Sequence, residues 1–329
     1  MSFFLYSETA FHHEGDRSYL LELVRLTKQN DYHGIKFQVI GDLATYMPES
    51  HNQFDFLNKM VLKLNDWKTV IEYAKTLELK VVFMPLDIMA MDWALINLHL
   101  IDYFDIHSVS FYDRPLWEKI KQANKPLILG IGGRTLSEIE DSIHYFEKQL
   151  HILMHGFQSF PTELSNARLM RIQALKEKFP HLLIGYADHS SYESEDAVNA
   201  LEYAYLLGAR VFEKHITLNE GVNRTDYSAA VGSNKMLKIK EQLLKLEVIC
   251  KDANIFDLRA DEMKYRERQK KLVALYPITK GEKITSTNTI LKVIEENSNQ
   301  AYINHAISGE WISQREIKKD EPIFITDIT

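Results

Sequence analysis

Short apolar runs alternate along the chain with longer stretches in which apolar residues recur every three or four positions. The runs Phe3–Ser7, Ile35–Val39, Val81–Leu86, Phe104–Ser110, Pro126–Gly132, His151–Phe157, Leu182–Asp188 and Arg210–Thr217 predict eight strands. Between them, Trp67, Val70, Ile71, Ala74 and Leu77 give Asn65–Leu77 the single buried face of an amphipathic helix. Thr135 and Glu138, three apart, predict a capping box after the fifth strand, and Asn234–Lys251 reads as a long last helix. Eight strands, each followed by helix-like sequence, predict an α/β chain folded as a (β/α)8 TIM barrel over residues 1–255. A doubly wound open sheet gives the same alternation. The count of eight favours the barrel.

Beyond residue 255 the pattern changes. Residues 256–270 are densely charged and read as a solvated linker or connecting helix. Residues 271–329 then carry short strand-like pieces, Lys271–Tyr276, Lys283–Thr285, Thr289–Val293 and Pro322–Ile325, which predict a small β-rich domain.

Composition narrows the classes. With 39 Lys+Arg against 46 Asp+Glu the net charge is −7, which argues against a general nucleic-acid binder. No apolar run approaches the roughly 18 residues of a membrane span. The opening MSFFLYSETAFHHEGD lacks the basic flank and long apolar core of a signal peptide, so a cytoplasmic protein is expected. One cysteine, Cys250, excludes an intramolecular disulfide and is expected to be inert.

In a barrel, function collects where strands end at the C-terminal face. Polar residues gather there: Glu8, His12, His13 and Glu14, then Lys36 with Gln38, Asp87, His107 with Ser108, His155, Asp188 with His189, and Glu213 with His215 and Thr217. Alternation places Glu213, His215 and Thr217 on one face of the eighth strand, with Phe212 and Ile216 on the other. A lone histidine in such a position is more often a satisfied core residue. Convergence of His189 and His215 from neighbouring strands is what suggests ligands for a divalent ion. Gly130–Gly133 suits a phosphate cradle or a tight turn equally well. GxGxxG, GK[ST], GxSxG and HExxH are all missing.

The order of motifs resembles the sialic acid synthase family, which includes the N-acetylneuraminate, legionaminic and pseudaminic acid synthases and spore-coat polysaccharide biosynthesis proteins. Glu8–Asp16 is similar to EIGxNHxGD, Ile35–Gln38 to VKFQ and Met84–Asp87 to TPFD. Lys125–Ile128 is similar to KPVI, and Leu153–His155 with Phe160–Thr162 to LLHC…YPTP. Ile184–His189 resembles VGYSDH, and Ala209–Thr217 resembles AxVIEKHFT. The tail, with ITKGEKIT and IKKDEPI, resembles the family's antifreeze-like (SAF) domain.

The resemblance implies a transferase that condenses phosphoenolpyruvate with the open-chain aldehyde of an N-acylated amino sugar, giving a nonulosonic acid and phosphate. It implies a divalent metal, manganese or else magnesium or cobalt, on His189 and His215. Glu8, Lys36 and Asp226 are the implied catalytic residues, with Lys36 holding the anionic donor. His13, Lys36, Gln38, Ser108, His155, Gln158, Tyr186 and Glu213 are the implied substrate contacts. A homodimer is implied, with the antifreeze-like domain reaching over a partner's barrel mouth; Arg266, Arg268 or residues of Glu295–Tyr302 would then meet substrate. There are departures. Asp105 stands where the family carries a phosphate-binding lysine, Ala187 and Met84 replace a serine and a threonine, and Tyr227 resembles the spore-coat branch. Two other classes therefore stay open: a metal-dependent aldolase or lyase on another carbonyl, and a non-catalytic sugar-acid-binding barrel.

Overall fold

The computed structural model describes residues 3–156, 159–251, 254–295, 301–303, 305 and 309–329. The chain divides into two compact units, Met1–Lys251 and Asp252–Thr329. In the first, eight parallel strands close on themselves: β1 (Phe4–Glu8), β2 (Gly34–Val39), β3 (Lys80–Pro85), β4 (Tyr103–Ile106), β5 (Leu127–Gly130), β6 (Leu150–Gly156), β7 (Leu183–Asp188) and β8 (Val211–His215). Each is followed by a helix: α1 (Arg17–Gln29), α2 (Leu64–Thr76), α3 (Ile88–Ile96), α4 (Arg114–Ala123), α5 (Leu136–Phe146), α6 (Met170–Lys178), α7 (Asp196–Leu206) and α8 (Ser233–Ile249). This is the (β/α)8 barrel that the alternation predicts. The rival open sheet is excluded, because β1 pairs with β8 as well as with β2.

Period-two alternation splits every strand between two layers. Tyr6, Val82, Ile128, Ile152, Met154, Ala187 and Val211 fill the barrel interior. Their neighbours, such as Leu5, Phe37, Phe83, Phe104, Leu129, Ile184 and Phe212, pack outward against the helices. The amphipathic helix predicted at Asn65–Leu77 is α2, and it buries Trp67, Val70, Ile71 and Ala74 as expected. Both halves of the Thr135–Glu138 capping box are present at the start of α5. Gly185 marks a tight place in the interior: a Cβ there would lie 2.7 Å from the Met154 side chain.

The strand predicted at Phe104–Ser110 is cut short at Ile106, because the His107 ring accepts the Val109 amide and starts a 3-10 turn over Ser108–Ser110. Gly130–Gly133 forms a turn, with Gly130 and Gly132 lining the small cavity beside Lys36. The Arg134 amide bonds to the Ile131 carbonyl, and Gly133 sits at φ +70°, the conformation required at the third position of a type II turn.

The second unit contains an exposed helix α9 (Ala260–Arg266) and strands β9 (Lys271–Ala274), β10 (Lys283–Ile284), β11 (Thr289–Lys292) and β12 (Trp311–Ile312). They form two antiparallel pairs, β9 with β11 and β10 with β12, around Leu272, Ile278, Ile284, Ile303, Ile317 and Ile323. The strand predicted at Pro322–Ile325 is not formed. Pro322 and Phe324 make only isolated bridges, and a 3-10 turn begins at Ile325. Cys250 is exposed at the end of α8. Among the described residues, no helix is long and apolar enough to cross a membrane.

Candidate active site

Barrel closure sets β1 between β2 and β8, with Glu8 in register with both Lys36 and His215. His189, one residue past β7, follows the interior parity of Gly185 and Ala187. As a result Glu8, His189 and His215 offer ligand atoms that all lie within 4.8 Å of one another. Glu8 Oε2 is 3.2 Å from His215 Nε2, and the two imidazoles stand 5.0 Å apart by ring centroids. Phe160 packs edge-on against both rings. The donor set suits a borderline divalent ion: two imidazoles and a carboxylate, with further positions open. A second observation supports the fit. His189 is buried, its Nδ1 has no hydrogen-bond partner, and burial holds the ring well below the ordinary imidazole pKa, so the neutral ring keeps a lone pair on one nitrogen. The sequence reading had named only the two histidines. Glu8 joins them as a third prospective ligand.

One layer deeper, the Lys36 ammonium faces three carboxylates: Glu213 at 2.8 Å, Glu8 at 3.1 Å and Asp105 at 3.1 Å. All four side chains are buried. Burial alone would raise the Glu8 pKa, yet Lys36 and His215 hold it well below the usual carboxylate range. Glu213 goes the other way, raised by burial and by the charge of Glu8. Burial also raises Asp105. Lys36, although burial opposes its charge, is held well above its ordinary value by Asp105, Glu213 and Glu8. Tyr6 donates to Glu213 Oε2 at 2.6 Å, and Gln38 donates to Glu8 Oε1 at 2.6 Å. A single ammonium cannot balance three carboxylates, so the set holds a proton on one of the raised acids or draws in a further cation.

The remaining predicted residues divide. Ser108 lines a cavity of about 20 Å3 beside Lys36, Asp105 and Glu213, close to the minimum for one water. Asp226 takes a left-handed φ of +62°, and burial raises its carboxyl despite the opposing effect of His215. Gln158 lies outside the described residues, as do Phe157 and much of Glu295–Tyr302.

Two of the expected contacts turn to the helix side. Tyr186 and His155 do not face the interior, because Ala187 and Met154 take that parity. Tyr186 instead joins the helix-side core and donates to Asp188, and His155 bonds to the Ala167 carbonyl. His13, in the loop after β1, accepts from the Gly15 amide and packs edge-on against Trp67, and its buried Nε2 has no hydrogen-bond partner among the described residues. Two partners of the Lys36 cluster go beyond the sequence reading. Tyr6 was legible as the residue two before Glu8 on the same face. The pairing of Asp105 with Lys36 was not, since it crosses the barrel.

A closed parallel barrel with a buried His–His–carboxylate cluster at its C-terminal mouth defines a (β/α)8 protein built around a candidate metal centre. The chain belongs to the NeuB family, whose model matches residues 26–254. It is 25% identical over 304 residues to the N,N'-diacetyllegionaminic acid synthase of Campylobacter jejuni, covering 87% of this chain and 89% of that one. Its fold is similar to a Chromobacterium violaceum structure described as spore coat polysaccharide biosynthesis protein E, with TM-score 0.85, 21% identity and 99% of each chain covered. It is also similar to an N-acetylneuraminic acid synthetase from Leptospira borgpetersenii, with TM-score 0.73, 21% identity and 81% of this chain and 91% of that one covered.

Proposed function

We propose that this protein condenses phosphoenolpyruvate with the open-chain aldehyde of an N-acylated amino sugar, releasing a nonulosonic acid and inorganic phosphate. The observation that carries this reading is the convergence of Glu8, His189 and His215 in a NeuB-family barrel. A divalent metal, when bound there, supplies Lewis-acid polarisation of the aldehyde. C3 of the enol forms the new bond to the aldehyde carbon, water adds at C2, and phosphate leaves. Glu213, whose carboxyl is raised by burial and by the charge of Glu8 and which accepts from the Tyr6 hydroxyl, would serve, when it carries a proton, as the donor to the developing alkoxide. Lys36 offers its ammonium to the donor's charge, and Asp226 contacts the sugar. The antifreeze-like character of residues 271–329 and a homodimeric state belong to the same proposal.

One observation favours a second reading, a metal-dependent aldolase or lyase on another carbonyl. Asp105 stands where the resemblance expects a phosphate-binding lysine, and it binds Lys36 instead. The deciding experiment is phosphate release from phosphoenolpyruvate with manganese over a panel of N-acylated hexosamines. Release with at least one sugar, abolished by chelator and restored by the metal, is expected. Release with none favours the second reading.

A further inference from the structure

Two loops on the mouth side of the barrel carry arginines that the site above does not use. Arg134 closes the turn after β5, and Arg168 and Arg171 flank the start of α6. They line a crevice of about 430 Å3 between α5 and α6, together with Lys178 and the exposed Leu136, over the buried Ile139 and Leu175. Two of the three guanidinium groups are held in place. Arg134 donates to the Ser108 carbonyl at 2.7 Å and stacks on the Phe111 ring at 4.5 Å. Arg171 donates to the Arg134 carbonyl at 2.6 Å.

The nearby carboxylates are engaged elsewhere. Glu138 caps α5 through the Thr135 amide and hydroxyl and also takes the Tyr112 hydroxyl, leaving 3.8 Å to Arg134. Glu140 pairs with Lys178. Among the described residues, neither Arg168 nor Arg171 has a carboxylate partner. Burial and the neighbouring Arg168 push the Arg171 guanidinium below its ordinary pKa, the mark of like charges held together. The residue preceding α6, Leu169, gives no side-chain cap, so the positive end of that helix dipole adds to the same field. In a chain of net charge −7, two neighbouring guanidinium groups without a carboxylate, Arg168 and Arg171, carry a repulsion that an anionic ligand removes.

We propose that this crevice binds a phosphate-bearing small molecule, with Arg168 and Arg171 forking onto the phosphate and Leu136 packing against the apolar remainder. Guanidinium forks match phosphate oxygens in number and plane. The crevice shares no lining residue with the cavity at Lys36, so it is a second site rather than part of the barrel mouth. It is nevertheless joined to it: Arg134 holds the carbonyl of Ser108, which lines that cavity.

The test is calorimetric titration of inorganic phosphate into the full-length protein at fixed ionic strength, with chloride as reference. Saturable binding is expected, weakened about tenfold or more by Arg168→Gln and by Arg171→Gln. Arg114→Gln, whose guanidinium stacks on Trp117, is expected to leave it unchanged. Arg168 is exposed, so its variant reports on binding even if the Arg171 variant folds poorly. Hydrogen exchange is expected to show phosphate protecting residues 134–139 and 168–173. No saturable binding, wild-type affinity in both variants, or protection confined to the strand ends around Lys36 overturns the proposal. Sulfate competing as well as phosphate overturns the assignment to phosphate.

Discussion

Two buried lysines, on opposite sides of the barrel wall, are treated in opposite ways. Lys214 points outward from β8 and is wholly buried with Asp188. Asp188 has a full set of partners: Lys214 and the Ser190 amide on one oxygen, the Ser190 and Tyr186 hydroxyls on the other. Lys214 also donates to the Ser190 carbonyl. Charge and hydrogen bonds close within that network. Lys36 points inward from β2 and meets three carboxylates, two of them raised above their ordinary range. The outer pair is complete and acts as a clamp between β7 and β8, the strands that carry His189 and His215. The inner set is unbalanced and sits where substrate and metal would arrive. Unsatisfied electrostatics, rather than burial itself, distinguishes the working site from the scaffold.

Breaking the outer pair should do the most damage. Lys214→Met leaves Asp188 buried without its counter-charge, which is expected to cost about 3–5 kcal/mol of stability in urea unfolding. A loss below about 1 kcal/mol would show that the clamp is dispensable. Lys36→Met is expected to lower turnover at least about 100-fold, near 3 kcal/mol of barrier, while unfolding changes less than for Lys214→Met. Asp105 and Glu213 can each take up a proton when the ammonium is gone. Equal loss of stability in the two variants would erase the distinction between clamp and working site.

A smaller effect comes from histidines that belong to neither lysine. His12, His13, His107 and His155 are lowered to about 4, chiefly by burial. Below pH 6.5 the unfolded chain takes up their protons while the folded chain does not. Stability is therefore full above 6.5 and falls as the pH drops toward 4, by up to ~1.4 kcal/mol per pH unit for each. Unfolding midpoints measured between pH 7 and 4 check this, and a flat profile would mean that these rings charge in the folded state.

Much of this was legible in the residues, because strands keep a period of two. Eight apolar runs gave the barrel, and alternation alone put Glu213 and His215 on one face of the eighth strand. Contacts made by closure were harder to read. Glu8 and His215 are 207 positions apart, and only the pairing of β1 with β8 brings them together. Tyr186 and His155 turn to the helix side, which a motif cannot reveal because it names residues without saying which layer each strand position faces. Asp105 was visible as a departure, but its partner across the barrel was not.

The crowding around Lys36 also bears on how the protein is made. A divalent ion entering at Glu8 would meet a carboxylate already occupied by an ammonium and an imidazole. The ammonium lies on Oε1 and the imidazole on Oε2, so loading would add a cation on the His215 side. A newly synthesised chain can close its barrel with Lys36 already neutralising part of the charge. Maturation of such a centre would then be a step separate from folding, one that can wait for metal supply. Chelated protein should accordingly remain a native barrel, ready to be recharged.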